Sequence, residues 1–296
     1  MAMLEKSYLV KRSQLIKGIR NFFDAQGVLE VQTSSLIDTP TTDVYIDSIY
    51  SEVNTEIGHK TIKYLHTSPE LEMKKLVSKG SGDIYQICQV FRDNEHGLNN
   101  FNEFTMLEYY RIGFGIHELM DDITNLLFSV GLNEEPKKLS YSQAFNDFVG
   151  IDILNINFNQ LKNIAISLGL TTDFLWIEDL QMLMFTHLIE PKLKHIPVCF
   201  IYDYPKNQSA LAKIDGNVAS RFEMYINGLE IANGYDEIQD AETYKERFDN
   251  ENKKRELLSK KKCKIDYEFL SNLQNNLPQC SGVAIGIDRL LSQINQ

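Results

Sequence analysis

The sequence predicts an α+β fold in which helices flank an antiparallel sheet. Segments with helical and strand-like periodicity follow in the order helix, hairpins, helices and hairpins again, whereas alternating strand–helix units would predict a parallel sheet. The 296 residues are 43% hydrophobic and 10% aromatic, which is enough to build a large buried core. We therefore expect a globular enzyme with one or two domains.

The charge balance limits the classes of partner. The chain has 30 basic and 41 acidic residues, and its net charge of −11 argues against a general binder of nucleic-acid backbones. A nucleotide needs only a few placed cations and stays possible. The most apolar long stretch, residues 174–189, contains Glu178 and Asp179 and is too short to span a membrane. Four scattered cysteines and a charged N-terminus favour a cytoplasmic protein.

Two helices and a hairpin are predicted in the first third of the chain. A helix over 9–25 has one apolar face and ends at Gly27. In the second helix, 71–79, Ser68 is the expected N-cap and Pro69 the first helical residue. Strand-like residues lie between the helices, at 28–31 and within 40–63.

Strands at 84–91 and 103–111 are predicted to flank a polar loop, 92–102. Residues 131–200 are interpreted as a mostly helical insertion. The other expected elements are a helix at 117–130, a strand at 199–204, a hairpin that turns at Asn227-Gly228, a charged helix at 241–260, a strand at 282–287 and a final helix from about Asp288.

The predicted hairpin places two carboxylates on one face. A two-residue turn at Asn227-Gly228 would pair Tyr225 with Glu230 and Glu223 with Ala232, so that Glu223 and Glu230 are diagonal neighbours about 7–8 Å apart at the backbone. Such a pair can hold Mg²⁺, but an exposed acidic face explains the pattern equally simply. In a regular strand Asn233, Tyr235 and Glu237 would point the other way, unless Gly234 introduces a bulge.

A mixed face is predicted for the strand over 103–111. Phe104, Met106, Glu108 and Tyr110 alternate onto one side, which indicates either a ligand-lined face or a half-buried face with Glu108 paired to an arginine. At the end of the preceding strand, Arg92 can meet a phosphate with its two-pronged guanidinium group.

Gly282 and Gly286 interrupt the last predicted strand. Glycine in a strand permits another group to approach the backbone closely. Asp288 is the expected N-cap of the final helix, and Arg289 would then project from a helix N-terminus, where anions are favoured. Packing glycines and a surface arginine are the alternative interpretation.

Four ordered segments together resemble class II aminoacyl-tRNA synthetases of the lysyl type. They are Thr67–Glu70, Val90–Arg92 with Phe104–Glu108, Gly228–Glu237 and Gly286–Leu290. Residues 78–88 and 279–284 are closer to the short paralogues of that family, which attach β-lysine to elongation factor P. The helix over 9–25 resembles the family's first motif, so the resemblance implies one catalytic domain over 1–296, no anticodon-binding OB domain, and a homodimer.

The resemblance also implies roles for individual residues. Arg92 and Arg289 would be catalytic, and Glu223 and Glu230 would bind Mg²⁺. The expected ATP contacts are Arg92, Asn94, Glu95, Phe104, Glu230, Ile231, Gly286 and Arg289. The expected lysine contacts are Ser68, Glu70, Tyr110, Asn233, Tyr235 and Glu237.

The implied reaction is ATP-dependent activation of lysine or (R)-β-lysine as an aminoacyl-adenylate, followed by transfer to a lysine side chain of elongation factor P. A truncated lysyl-tRNA synthetase that charges tRNA, and a catalytically silent ligand-binding paralogue, are the alternatives. The acidic charge and the missing anticodon domain favour a protein acceptor over tRNA. A basic run within 253–264 could dock an acidic partner or form a solvated surface.

Overall fold

A computed structural model describes residues 5–95, 97, 100–273 and 277–294. Its strands are β1 (Leu29–Glu30), β2 (Leu36–Ile37), β3 (Tyr50–Glu56), β4 (His59–Leu65), β5 (Ile84–Phe91), β6 (Glu103–Ile112), β7 (Lys137–Ser140), β8 (Val198–Pro205), β9 (Ile214–Asp215), β10 (Val218–Ile226), β11 (Leu229–Asp236) and β12 (Cys280–Gly286).

The helices are α1 (Lys6–Ala25), α2 (Glu70–Ser78), α3 (Ile116–Ser129), α4 (Tyr141–Val149), α5 (Phe158–Ser167), α6 (Ile177–Met184), α7 (Glu190–Leu193), α8 (Ala241–Leu257), α9 (Tyr267–Asn272) and α10 (Ile287–Ile294). A π-helical turn, Phe185–Ile189, connects α6 to α7. None of the helices in the described part of the chain is long and apolar enough to cross a bilayer.

The chain divides into two compact units. The first comprises residues 1–115 and 237–295, and the second comprises residues 116–236. The helices α4 to α7 fall within the predicted insertion over 131–200, and both that insertion and the single domain over 1–296 stay predictions.

The first unit contains strands in the order β1-β5-β6-β12. It also contains a separate, small antiparallel sheet in the order β2-β4-β3, whose strands lie between β1 and β5 in the sequence. Helix α1 packs one face, where the Phe23 ring stacks on Tyr85 at 4.4 Å and meets Tyr109 edge-on at 4.9 Å. Because strand side chains alternate, Glu108 and Tyr110 lie on the opposite face of β6. This face carries the candidate site.

The second unit has strands in the order β11-β10-β8-β7, with β9 paired to β10. Helix α4 and the π-helical turn cover them through an aromatic cluster in which Tyr141 stacks on Phe185 at 5.3 Å and lies 4.9 Å from Tyr204. Burying these rings removes apolar surface from water and stabilises the second unit.

The predicted α+β architecture with antiparallel strands and flanking helices is confirmed. Two pairs differ, because β1 runs parallel to β5 and β7 runs parallel to β8, and neither β7 nor β9 was predicted. β7 has four residues and pairs with β8, which is distant in sequence, and β9 has only two residues, so local periodicity reveals neither.

Candidate active site

A fully buried lysine lies at the centre of the charged residues in the first unit. Lys74 of α2 has no solvent exposure, and its Nζ lies 2.5 Å from Glu70 Oε1 and 2.6 Å from Glu237 Oε2. Glu70 precedes Lys74 by one helical turn, so the two side chains share a helix face. Glu237 is anchored by its N–H, which donates to Cys280 O at 3.1 Å. A buried charge requires such partners.

A second buried carboxylate organises two hydroxyl groups. Glu108 is 2% exposed, and it accepts hydrogen bonds from Ser68 Oγ at 2.6 Å and Tyr110 OH at 2.7 Å. The structure thus brings together Ser68, Glu70, Tyr110 and Glu237, which were all predicted as lysine contacts. Glu108 pairs with these hydroxyls rather than with an arginine, the partner expected in the alternative interpretation of its strand face.

Ser68 is not the N-cap of α2 as expected, because Pro69 occupies that position. Its Oγ still accepts the Glu70 N–H at 3.0 Å while it donates to Glu108. The hydroxyl therefore connects the start of the helix to the carboxylate on β6.

Burial controls the protonation of this cluster. Burial, reinforced by the nearby Glu70 carboxylate, raises the pKa of Glu108 to about 7. Burial likewise raises the pKa of Glu237 to about 8, against the opposing effect of Lys74. Burial disfavours the charged form of Lys74, but the Glu237 and Glu70 carboxylates outweigh it and hold the lysine pKa well above its usual value. Three carboxylates thus face one ammonium group.

The expected close approach to a strand glycine occurs at Gly282. Gly282 lies opposite Tyr110 in the β6–β12 ladder, and a Cβ at this position would lie 2.7 Å from Glu237 Oε1 and closer still to the Tyr110 ring. Any other residue would displace one of these two side chains.

Arg92 stands beside Phe104. Its guanidinium carbon lies 5.1 Å from the Phe104 ring centroid, in a cation–π arrangement, and its Nε donates to Thr67 O at 3.4 Å. Asn94 adopts a left-handed backbone conformation, with φ of 58°, and is exposed, whereas Glu95 is half-buried. One face of the ring expected to stack on adenine is thus already close to an arginine.

Arg289 lies near the start of α10, and its Nη2 donates to Asn100 Oδ1 at 3.0 Å. The predicted N-cap role of Asp288 is wrong, because α10 begins at Ile287, directly after Gly286. The Asp288 carboxylate instead accepts the Thr105 N–H of β6 at 2.7 Å. This bond attaches the last helix to the strand that carries Glu108.

The predicted turn of the hairpin in the second unit is confirmed. Asn227 and Gly228 have φ of 49° and 77°, as a type I′ turn requires, and Tyr225 pairs with Glu230. The predicted pairing of Glu223 with Ala232 is wrong. Ile231 is an extra, bulged residue, so Glu223 pairs with Asn233 and Arg221 with Tyr235.

The bulge at Ile231, rather than one at Gly234, places Asn233 and Tyr235 on the face that carries Glu223. The hydrogen bonds agree, because Arg221 Nε donates to Asn233 Oδ1 at 3.2 Å and Asn233 Nδ2 donates to Tyr235 OH at 3.1 Å. Hence the hairpin presents Glu223, Glu230, Asn233 and Tyr235 on one side, with the Ile231 side chain buried.

Glu223 has three hydrogen-bond donors within this unit. Its Oε1 accepts from Arg221, and its Oε2 accepts from Tyr204 OH at 2.6 Å and from Tyr225 OH. Burial, and next the Glu223 charge, raise the pKa of both tyrosines well above its usual value, so both remain donors. Arg221 also stacks on the Tyr204 ring, 4.5 Å from its centroid.

The chain that carries these residues matches one protein family over nearly its whole length. A family model described as class II tRNA synthetases (D, K and N) matches residues 4–296. The chain belongs to this synthetase family.

Similar proteins share one function in their names. The elongation factor P–(R)-β-lysine ligases of Pectobacterium atrosepticum and Vibrio cholerae are each 40% identical to this chain over 291 and 292 residues. These alignments cover 96% of the chain and 89% and 90% of the two relatives, respectively. The ligase of Hamiltonella defensa is also 40% identical over 292 residues.

The carboxylate oxygens of Glu223 and Glu230, on the hairpin formed by β10 and β11, are the type of ligand that Mg²⁺ prefers. The described residues contain no group of three or more His, Cys, Asp or Glu side chains suited to a metal ion. A cation at Glu223 and Glu230 would therefore rest on a carboxylate pair and substrate oxygens, as Mg²⁺ commonly does. Among the described residues, three donors occupy three of the roughly four acceptor positions of Glu223, which leaves about one position for a cation.

Lys74 and Arg221 were not predicted as site residues, and Glu108 was predicted only as a member of a mixed strand face. An available signal for Lys74 was the Glu70–Lys74 spacing, although on its own this spacing is typical of an exposed helix pair. Glu108 was placed on a strand face that was interpreted as ligand-lined or as half-buried with Glu108 paired to an arginine, but no contact was assigned to it. Arg221 alternates onto the same strand face as Glu223, and this period of two could have drawn attention to it.

The basic run over 253–264 is partly structural. Arg255 is buried, and its Nη1 donates to Asp43 O at 2.6 Å, while Lys260 Nζ donates to Asp47 Oδ2 at 3.2 Å. These two cations attach the segment around 43–47 to the end of α8 and are thus less available for a partner.

Proposed function

We propose that this synthetase-family chain activates lysine or (R)-β-lysine with ATP and transfers the aminoacyl group to a lysine side chain of elongation factor P. The observation that carries the proposal is the cluster in which Glu70 and Glu237 contact the buried ammonium group of Lys74, with the buried Glu108 carboxyl nearby. The names of the relatives supply the acceptor.

The charge of the cluster favours a substrate with two ammonium groups. Three carboxylates and one lysine leave two negative charges when all are ionised. Leaving a buried charge without a partner costs about 2–5 kcal/mol, so an amino acid with one ammonium group is strongly disfavoured. Lysine and (R)-β-lysine both satisfy this charge requirement.

We propose that the remaining residues position the reacting groups. Arg92 would bind the α-phosphate of ATP and the charge that develops there, Arg289 would bind the γ-phosphate end, and Phe104 would stack on adenine. A substrate carboxylate oxygen then attacks the α-phosphorus and the bond to pyrophosphate breaks. A lysine amine of the acceptor attacks the acyl carbon, loses a proton and releases AMP. Positioning and electrostatics supply this catalysis, without a protein nucleophile.

The metal role is part of the same proposal. Glu223 and Glu230 would hold Mg²⁺, which neutralises phosphate charge when it is bound. Arg221, Tyr204 and Tyr225 fix the orientation of Glu223 whether or not a cation is present. We also propose that lysine contacts Asn233 and Tyr235, and that ATP contacts Ile231 and Gly286. The homodimer is likewise a proposal.

Transfer to the acceptor is the direct test. The purified protein, ATP, Mg²⁺ and either lysine or (R)-β-lysine are incubated with elongation factor P, and the intact mass of the acceptor is measured. We expect one aminoacyl addition, and none when the acceptor lysine is replaced by arginine. Aminoacylation of tRNA without modification of elongation factor P would instead identify a tRNA-charging enzyme. No product with either acceptor would refute the proposal.

A further inference from the structure

Lys74 has a combination of properties that a merely structural lysine does not need. It is completely buried, and its single ammonium group contacts two carboxylates from distant parts of the chain. One of them, Glu237, is 1% exposed, whereas the side chain of Glu70 keeps 25% exposure and is thus within reach of a ligand. The lysine lies behind the carboxylates, on the protein side of the cluster.

Without an ammonium group between them, Glu70 and Glu237 would be two close carboxylates in a poorly solvated site. Such a pair cannot ionise fully and retains a shared proton near neutral pH. A protonated carboxyl is a poor partner for a substrate ammonium group. The ammonium of Lys74 offsets part of this repulsion and also fixes the spacing of the two carboxylates.

We propose that Lys74 is a positioning residue of the amino-acid site, which fixes the spacing of Glu70 and Glu237 and lowers the cost of ionising both carboxyl groups when a substrate with two ammonium groups binds. This inference rests on the proposed function for the identity of the substrate. It adds a residue that acts through the two carboxylates and does not itself contact the substrate.

The groups around Lys74 support this role. The Tyr244 ring of α8 lies 5.3 Å from Nζ and the Tyr110 ring lies 6.0 Å away, so that the ammonium is enclosed by aromatic faces as well as by carboxylates. The titratable and charged groups that face the cluster from the packed elements are Glu70 on α2, Glu108 and Tyr110 on β6, Glu237 after β11, and Tyr244 and Glu251 on α8.

The chain offers a matched control on the same helix. Lys75 is 7% exposed, and its Nζ lies 2.7 Å from Glu72 and 2.9 Å from Asp266, outside the Glu70–Glu237 cluster. Lys75→Met removes a largely buried ammonium group next to Lys74 that pairs with Glu72, Asp266 and, at 3.8 Å, Glu268. A loss of helix stability alone should therefore affect both variants similarly.

The test compares wild type, Lys74→Met, Lys74→Arg and Lys75→Met by calorimetric titration with lysine and with (R)-β-lysine. Each titration is repeated in buffers of different ionisation enthalpy, which gives the protons released on binding. For Lys74→Met we expect at least about tenfold weaker binding near neutral pH and about one additional proton released, because the substrate must displace the shared proton. Lys74→Arg should restore the proton count, and Lys75→Met should match wild type.

Binding by Lys74→Met within about threefold of Lys75→Met, with an unchanged proton count, would overturn the proposal. If Lys74→Met does not fold, Lys74→Gln gives the same comparison. The proposed function can fail while the role of Lys74 stands. If the wild type binds lysine but does not modify elongation factor P, the proposed function is refuted and the comparison of the Lys74 variants remains valid. A wild type that binds neither amino acid refutes both.

Discussion

The two carboxylate clusters of this chain differ in how many partners each carboxyl group has. In the first unit, Glu70 and Glu237 share one ammonium group and Glu108 lies nearby, so three carboxyl groups face one cation. In the second unit, Glu223 alone accepts hydrogen bonds from an arginine and two tyrosines. The first arrangement favours a cationic ligand, whereas the second fixes a carboxylate in place. Variants that remove one charge from each cluster should separate these roles.

Removal of Arg221 should produce the largest loss of stability. Arg221→Met leaves Glu223 without its charged partner in a buried setting, and we expect the free energy of unfolding to fall by about 3–5 kcal/mol. Urea denaturation measures this change. Lys213→Met, which removes a more exposed ion pair with Asp236, is the control. Equal stability of wild type and Arg221→Met would contradict the assignment of a fixing role to this cluster.

Removal of Glu237 should chiefly affect the amino acid. Glu237→Gln is expected to lower kcat/KM for lysine in pyrophosphate exchange about 100-fold, because one substrate ammonium group loses a buried partner. The KM for ATP should change little. Glu72→Gln, which removes a carboxylate partner of Lys75 outside the Glu70–Glu237 cluster, serves as the control. A similar decrease for both substrates would show that the cluster is not specific to the amino acid.

Glu108 should make the stability of the free protein depend on pH. Its pKa rises to about 7 in the folded protein, so its neutral form stabilises the fold below about pH 4.5, and this contribution is lost as the pH rises through 7. Between about pH 5 and pH 8, the free energy of unfolding of the wild type should therefore fall relative to that of Glu108→Gln. The difference should change by at most about 1.4 kcal/mol per pH unit. Thermal unfolding with and without lysine tests this, and lysine should reduce the slope. A slope that is the same in both proteins would contradict the prediction.

The smallest change is expected at Tyr204. Tyr204→Phe removes one of the donors to Glu223 but leaves Arg221 and Tyr225, so we expect a loss of about 1–2 kcal/mol in unfolding free energy. Tyr202→Phe on the same strand is the control, because Tyr202 contacts His117 instead of Glu223. A loss as large as that of Arg221→Met would mean that the donors act as one unit.

The same comparison explains which features could be predicted from sequence. The turn at Asn227-Gly228 and the strands at 84–91 and 103–111 depend on local chemistry, and all three were predicted. The bulge at Ile231 was not, because Glu223 lies opposite Asn233 only when the contacts of the whole hairpin are known. The segment resemblance nevertheless named Asn233 and Tyr235, which strand alternation alone would have placed on the wrong face.

Lys74 shows the limit more sharply. In sequence it follows Glu70 by one turn of an amphipathic helix and resembles one half of an exposed ion pair. Its burial depends on Tyr244 and Glu237, which are far away along the chain. The spacing within the helix therefore places Glu70 and Lys74 on one helix face, but it cannot reveal that this face buries the charge of Lys74 in the protein interior.

Pyrophosphate exchange with wild type tests the central claim most directly. Lysine, (R)-β-lysine and norleucine, which lacks the side-chain ammonium group of lysine, are compared at equal concentration with ATP and Mg²⁺. Exchange with lysine or (R)-β-lysine, and none above background with norleucine, is the predicted result. Equal exchange with norleucine, or no exchange with any of the three, would contradict an adenylating enzyme whose buried carboxylates select a substrate with two ammonium groups.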